Sequence, residues 1–240
     1  MRYVTWAAVA ILLATAVAGE DLFLPMVAQK QGQDGAWWNT EVWISNPGET
    51  AGGYAAVFLP AGQDNENALR EEPQLEEVPP GATVYRDDLV PQGSVGAVRV
   101  VVTPGLLVYG RVFNAAGRGS FGQGMPAWSR SDALQAGQPA NLIGLRRSAQ
   151  FRANLALLNP TLDPCSVRLR LLGPRGEALG EEVYQLPPGG QVQVNDVLHG
   201  LGVSRGEHIR AEVVGDQPFF ALASVIDSRS GAPTLVVPQR

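Results

Sequence analysis

The sequence has few of the residue types on which most catalytic and metal sites depend. Its 240 residues include one cysteine and only two histidines, His199 and His208. A single cysteine excludes an internal disulfide. The two histidines lack the spacing of zinc ligands and have no cysteine pair beside them, and no G-x-S-x-G sequence marks a serine nucleophile. We therefore expect no catalytic residue, no metal and no cofactor.

Charge is also scarce, at 17% of residues, and the net charge is −5. No run of basic residues is present, so the sequence lacks the electrostatic signature of a nucleic-acid-binding protein. Beyond the N-terminus, no apolar run approaches the ~20 residues that a helix needs to cross a bilayer. The sequence thus predicts a mature chain with no nucleic-acid partner and no membrane span.

Two local patterns imitate functional motifs. Residues 117–122 read G-x-G-x-x-G, but a dinucleotide site needs a helix directly afterwards, and the following Gly124 and Pro126 oppose one. We interpret this segment as a glycine-rich hairpin. Asp88 and Asp196 each follow another acidic or amide residue, as calcium ligands do, but no D-x-D-x-D-G loop is present. We expect them to cap short helical turns or to close turns instead.

The single cysteine lies in a strongly alternating segment. Cys165 shares its predicted strand face with Val167, Leu169 and Leu171, which indicates a buried thiol acting as a small apolar side chain. The alternatives are an intermolecular disulfide or a reactive nucleophile, for which no neighbouring histidine or second cysteine is seen.

The N-terminus has the pattern of a secretory signal peptide. Arg2 precedes an apolar stretch over residues 4–17, and Ala16-Val17-Ala18 forms an A-x-A cleavage site. We expect cleavage after Ala18, which leaves a protein that is secreted or resides in the periplasm or cell envelope.

Glycine and proline are abundant, with 28 and 18 residues. Short alternating segments separated by turn residues predict many antiparallel strands. In residues 38–47, for example, Trp38, Val42 and Ile44 share one face and Glu41 and Trp43 share the other. We expect a first strand near residues 21–28 at a sheet edge, because Pro25 cannot donate to a ladder. Residues 95–103 and 106–114 read as a hairpin, and residues 62–77 read as a long acidic loop.

The chain contains an internal duplication. An apolar residue, Pro-Pro-Gly, a short strand and an Asp occur over residues 78–90 and again over 186–198. Residues 38–47 recur as residues 151–160, and both copies begin with an aromatic residue and end in Asn-Pro. We therefore predict a signal peptide over residues 1–18, a first β-sandwich over 19–128, a linker over 129–139 and a second β-sandwich over 140–240.

These turn and core motifs resemble those of uncharacterised exported bacterial proteins with tandem Ig-like β-sandwich domains. The shared features are the Asn-Pro strand ends, the Pro-Pro-Gly turns and the Asp after the next strand in each repeat. The resemblance implies an all-β fold of two tandem Ig-like antiparallel β-sandwich domains after a cleaved signal peptide. It implies no enzymatic activity.

The candidate binding residues are aromatic. Trp43 lies on the polar face of its strand, and Trp37 and Trp128 lie at strand ends. Exposed aromatic residues anchor partners, and the alternative is that these side chains pack between the domains. We expect a non-enzymatic structural or adhesion-type protein whose loops bind an envelope or extracellular protein, or a polysaccharide. The alternatives are a carbohydrate-binding module that uses the aromatic residues of the first domain, and a hydrolase or hydrolase inhibitor.

Overall fold

The computed structural model describes residues 19–116 and 119–240 and confirms an all-β, antiparallel fold. The predicted signal peptide and the first two residues of the G-x-G-x-x-G segment lie outside this range. In the described part of the chain, no helix is long and apolar enough to cross a membrane. We call β1–β9 the first half and β10–β17 the second half.

The strands and helices are short throughout. The first half contains β1 (Glu20–Gln31), β2 (Trp37–Ser45), β3 (Gly52–Pro60), α1 (Glu66–Arg70), β4 (Glu76–Val78), β5 (Thr83–Arg86), β6 (Ser94–Val102), β7 (Leu107–Ala116), β8 (Gly119–Pro126) and β9 (Trp128–Ser129). The second half contains β10 (Ala140–Arg147), β11 (Phe151–Leu158), β12 (Cys165–Leu172), β13 (Ala178–Leu186), β14 (Gln191–Val194), α2 (Val197–Gly200), β15 (Gly206–Gly215), β16 (Phe220–Asp227) and β17 (Pro233–Val236).

Each half has two layers of strands in the same order. In the second half, one sheet has the order β10-β15-β12-β13 and the other has the order β14-β11-β16-β17. The first half repeats this arrangement as β1-β6-β3-β4 and β5-β2-β7-β8. The common order is what the sequence duplication predicts. The division into domains and a linker stays a prediction, and residues 129–139 contain a 3-10 turn at Arg130–Asp132 followed by two buried side chains, Ala133 and Leu134.

The first strand lies inside its sheet, so the prediction of an edge strand was wrong. β1 pairs with β6 along most of its length and reaches β2 through Lys30 and Gln31, which joins the two layers into one nine-stranded sheet. The ladder with β6 is interrupted between Leu24 and Val27. Pro25 lies in this irregularity, where its missing N–H costs no ladder hydrogen bond.

The predicted hairpin over residues 95–114 was also wrong. β6 pairs with β1 and β3, whereas β7 pairs with β2 and β8. Since β6 has a partner on each side, no edge remains for β7. The turn at Gly105, with a φ of 95°, therefore carries the chain from one layer to the other. The predicted acidic loop over residues 62–77 is interrupted by α1 and ends in β4.

A buried asparagine ends the matching strands β2 and β11. The Asn159 Oδ1 accepts a hydrogen bond from the Thr161 N–H at 2.9 Å, and its Nδ2 donates to the carbonyls of Asp163, Leu186 and Pro187 at 2.7, 3.3 and 3.0 Å. Asn46 binds its own turn and the carbonyl of Val78 in the same way. Both Asn-Pro turns are thus tied to the Pro-Pro-Gly segment of their half.

The helical turn predicted after Asp196 is confirmed as α2, with Asp196 at its N-cap position, but the capping hydrogen bond of Asp196 and the cap at Asp88 were wrong. Asp196 precedes α2 but makes no capping hydrogen bond, because its carboxylate binds the Arg147 guanidinium at 3.0 Å. The Asp88 carboxylate accepts a hydrogen bond from Arg86 Nε at 2.7 Å, and no helix follows it. At the matching position of each half, the aspartate thus pairs with an arginine and makes no capping hydrogen bond to a helix.

The halves pack side by side through an apolar contact that we call the internal interface. Phe220 and Leu158 of the second half pack against Phe23, Leu59 and Ala97 of the first. The rings of Phe23 and Phe220 have centroids 5.8 Å apart. Side-chain hydrogen bonds between the halves include Asn65 Nδ2 to the Gly189 carbonyl at 2.9 Å, Gln191 Nε2 to the Pro25 carbonyl at 3.3 Å, and Ser224 Oγ to Gln123 Oε1 at 2.8 Å.

Replacing Asn159 with alanine should lower the free energy of unfolding by about 2–4 kcal/mol, because several buried backbone groups lose their partner at once. Urea denaturation checks this. The matched control is Asn67→Ala at an exposed position of α1, which should change stability by less than about 0.5 kcal/mol. Equal effects of the two substitutions would show that the buried network contributes nothing.

Candidate functional site

Three aromatic side chains meet on the outer surface of the first half. In the ladders, Trp43 of β2 lies opposite Tyr85 of β5 on one side and Tyr109 of β7 on the other. The ring centroids of Tyr85 and Tyr109 lie 5.7 and 6.2 Å from that of Trp43, with interplanar angles of 55° and 42°. We call the outer surface of β2, β5 and β7 around these rings the aromatic face.

Polar contacts fix the side chains around the rings. The Tyr85 hydroxyl donates to Glu41 Oε1 at 3.3 Å, and Arg111 Nη1 binds Glu41 Oε2 at 3.2 Å. Arg111 also donates to the Ser120 hydroxyl at 2.7 Å and lies 4.6 Å from the centroid of the Phe113 ring. Partial loss of solvent, followed by the charge of Glu41, raises the pKa of Tyr85 above its ordinary value. The hydroxyl therefore stays protonated at neutral pH and keeps its hydrogen bond to Glu41.

Glycines in β8 leave room for two side chains of the aromatic face. A Cβ atom on Gly124 would lie 1.7 Å from the Tyr109 hydroxyl oxygen, and one on Gly122 would lie 2.7 Å from Arg111 Nε. The side chains of Tyr109 and Arg111 thus lie across the backbone of β8, in space that other residues at positions 122 and 124 would fill. This explains why the segment is rich in glycine without a nucleotide site.

The aromatic face is open to solvent. Tyr85 and Tyr109 are each 48% exposed, and Leu107 beside them is 61% exposed. Large apolar groups of this kind, rimmed by a charged pair, are typical of interaction surfaces. Because β2 and β7 are paired on both sides and β5 is paired with β2, the rings are held in place before any partner arrives.

The three predicted binding residues do not form one site. Trp43 lies at the centre of the aromatic face. Trp37 begins the same strand on the same face, but six residues of strand place it about 20 Å away. Trp128 of β9 lies opposite Phe23 of β1 and packs against the core at the internal interface.

Sequence reasoning missed Tyr85 and Tyr109. Both could have been found by extending the alternation of Trp43 to the neighbouring strands, since all three point outward. The duplication carries a second signal, because the positions that match Trp43, Tyr85 and Tyr109 hold Ala156, Gln193 and Leu222. At these three positions, large aromatic residues thus occur in the first half and not in the second.

A cleft of about 250 Å³ opens between the halves beside Trp38. Its lining includes Met26, Arg152, Asn154 and Gln193. This volume is below the roughly 300–1,000 Å³ of typical ligand pockets, and the Arg152 side chain already donates to the Ser228 hydroxyl at 3.2 Å. We therefore assign no ligand to it.

The described residues contain no arrangement that resembles a catalytic or metal centre. Within residues 19–116 and 119–240, no group of three or more His, Cys, Asp or Glu side chains could hold a metal ion. In the same part of the chain, neither His199 nor His208 makes a side-chain hydrogen bond to a serine or a carboxylate. The absence of enzymatic activity stays a prediction.

Comparisons with known proteins give no family for this chain. No protein-family model matches the sequence, and comparison with curated protein sequences gives no match. Among solved structures, the chain is similar to a Ruminococcus gnavus β-glucuronidase in complex with uronic isofagomine, with 11% identity and a TM-score of 0.17. The similarity covers 91% of this chain and 34% of that enzyme. A TM-score this low supports no conclusion about fold or function.

The Cys165 thiol is buried as predicted, and burial raises its pKa to about 11. The stability that this thiol contributes is therefore complete below pH 9 and is lost as the pH rises from 9 to 11. We expect the free energy of unfolding of the wild type to fall more steeply over this window than that of Cys165→Ala. Equal slopes in urea denaturation series would contradict the assignment.

The same thiol should react slowly. At pH 8 we expect alkylation by iodoacetamide to be at least about 100-fold slower in the folded protein than in guanidinium chloride, because the thiolate is rarer and shielded. Mass spectrometry follows the modification.

Proposed function

We propose that this chain is a non-enzymatic exported binding protein of structural or adhesive type, which contacts a protein partner outside the cytoplasm through the aromatic face. The observation that carries the proposal is the cluster of half-buried Trp43 with exposed Tyr85 and Tyr109 on the outer surface of the sheet. Export rests on the signal-peptide pattern of residues 1–18.

The chemistry of the aromatic face matches the centre of a protein interface. Trp, Tyr and Arg are the residues that most often dominate binding energy, and Trp43, Tyr85, Tyr109 and Arg111 lie side by side here. Their positions are fixed by ladder pairing and by the Glu41 contacts, so little side-chain freedom is lost on binding.

A sheet face, rather than a set of loops, is the better-supported contact surface. The acidic segment over residues 62–77 looked free in the sequence. In the structure Asn65 and Leu69 pack against the second half, and Asn65 N–H donates to the Pro188 carbonyl at 2.9 Å. This segment holds the halves together and has less surface left for a partner.

The alternative of a carbohydrate-binding module receives less support from the ring geometry. A flat polysaccharide chain stacks over the largest area on rings that share a plane. The rings of Tyr85 and Tyr109 are tilted by 55° and 42° from Trp43. Tilted rings suit an irregular protein surface with side chains that enter between them.

Replacing Trp43 with alanine should reduce the retention of a protein partner by at least about 30-fold, the loss expected for a central anchor. The purified chain is immobilised and exposed separately to the envelope proteins and the polysaccharides of the cells that produce it. Quantitative mass spectrometry compares the proteins retained by each variant, and a sugar assay compares the polysaccharides.

The matched control is Trp37→Ala, on the same face of the same strand but about 20 Å away, which should retain the same proteins as the wild type. Proteins retained equally by all three chains would refute the proposal. Retention of polysaccharide that depends on Trp43 would replace the protein partner with a glycan.

A further inference from the structure

The duplication allows each surface of one half to be compared with the matching surface of the other. Trp43 lies opposite Tyr85 and Tyr109 in its sheet. Ala156 lies opposite Gln193 and Leu222 at the same positions of the second half. The outer surface of β11, β14 and β16 is therefore the counterpart of the aromatic face.

That counterpart is covered, whereas the aromatic face is open. Ala156, Leu158, Phe220 and Leu222 are all buried. Phe220 and Leu158 pack on the outer surface of β1, β3 and β6, and this contact is the internal interface. Within the molecule, the outer surface of β11, β14 and β16 in the second half thus docks on the outer surface of β1, β3 and β6 in the first half.

The outer surface of β1, β3 and β6, on which the second half docks, also has a counterpart in the second half. Like the aromatic face, that counterpart is exposed to solvent. Phe23 pairs with Arg99 in the first half, and Ile143 pairs with Arg210 at the matching position of the second. Phe23 is completely buried, by Phe220 of the second half and by the Arg130 guanidinium over its ring, but Ile143 is 57% exposed. We call the outer surface of β10, β12 and β15 around Ile143 the acceptor face.

The two open faces are chemically complementary. Arg168 and Arg170 of β12 are exposed on the acceptor face, and guanidinium groups bind favourably over Trp and Tyr rings. The acceptor face also carries Glu212, which pairs with Arg210, but the two halves as wholes differ in charge. Residues 19–128 carry 13 acidic and six basic side chains, a net charge of −7, whereas residues 129–240 carry 10 acidic and 11 basic side chains, a net charge of +1.

We infer that the partner of the aromatic face is a second copy of this chain, bound through its acceptor face. This inference rests on the proposed function, since it names the partner of the same surface. The contact would repeat between molecules the arrangement that joins the halves within one molecule. Because the two surfaces differ, the contact is heterologous, and each molecule keeps one free face of each kind. Molecules would therefore join head to tail into open chains.

The test uses single substitutions that disable one face at a time. Trp43→Glu disables the aromatic face, and Ile143→Glu disables the acceptor face. Tyr109→Glu serves as a second aromatic-face variant in case Trp43→Glu unfolds. Leu162→Glu is the control, because Leu162 is similarly exposed but lies in a turn outside both faces. Circular dichroism and thermal melts establish that each variant is folded.

Analytical ultracentrifugation from about 1 to 200 μM measures the assembly of each purified chain. We expect the wild type and Leu162→Glu to form species larger than a dimer as the concentration rises. Each face variant alone should remain monomeric, with the dissociation constant raised by at least about 30-fold. An equimolar mixture of Trp43→Glu and Ile143→Glu retains one intact face of each kind, so it should form dimers and nothing larger.

Three outcomes would overturn the inference. A wild type that stays monomeric would exclude self-association, and a mixture that stays monomeric would exclude a head-to-tail contact. Loss of assembly in Trp43→Glu but not in Ile143→Glu would show a symmetric pairing of two aromatic faces. If the wild type is monomeric but still retains another protein through Trp43, the proposed function stands and only the identity of the partner is wrong.

Discussion

The arrangement of each half depends on one buried amide. Asn46 and Asn159 end matching strands, and each binds backbone groups of its own turn and of the Pro-Pro-Gly region at once. An amide has donors and an acceptor, so a single side chain satisfies both segments without a charge. In the first half this contact fixes β2 beside β5. The alignment of Trp43 with Tyr85 follows from it, three residues from the asparagine.

Much of this architecture could be predicted because it is local. Alternation and turn residues indicated the strands and the outward position of Trp43, and the echo of residues 78–90 indicated the repeated order. The position of β1 and the separation of β6 from β7 could not be predicted, because they depend on which strands lie beside each other. Pro25 is compatible with an edge or with a bulge, and only the presence of β6 on one side and β2 on the other decides between them.

The candidate site shows the same limit. A single strand places Trp43 on an outer face, but the cluster needs three strands in register and glycines at positions 122 and 124 beneath them. Comparison of the two halves separates residues that serve folding from residues that serve a surface, which a single strand cannot do. Where both halves need the same residue, as at the two asparagines, the residue serves folding. Where the halves differ, the residue follows the surroundings of its surface: Trp43 lies on the open aromatic face, and Ala156 lies on the face covered by the other half.

The central position of β1 has a consequence for how the chain folds. Glu20 pairs with Val102, and Pro25 accepts a hydrogen bond from Gln191, which lies 166 residues further along the chain. Such distant pairings require large loops to close before any contact offsets the chain entropy that is lost, and this slows folding. The first residues of the described chain therefore cannot form their main ladder until β6 is available to pair with them. Until then, the apolar segment of β1 remains an unpaired strand that can add to any open sheet edge.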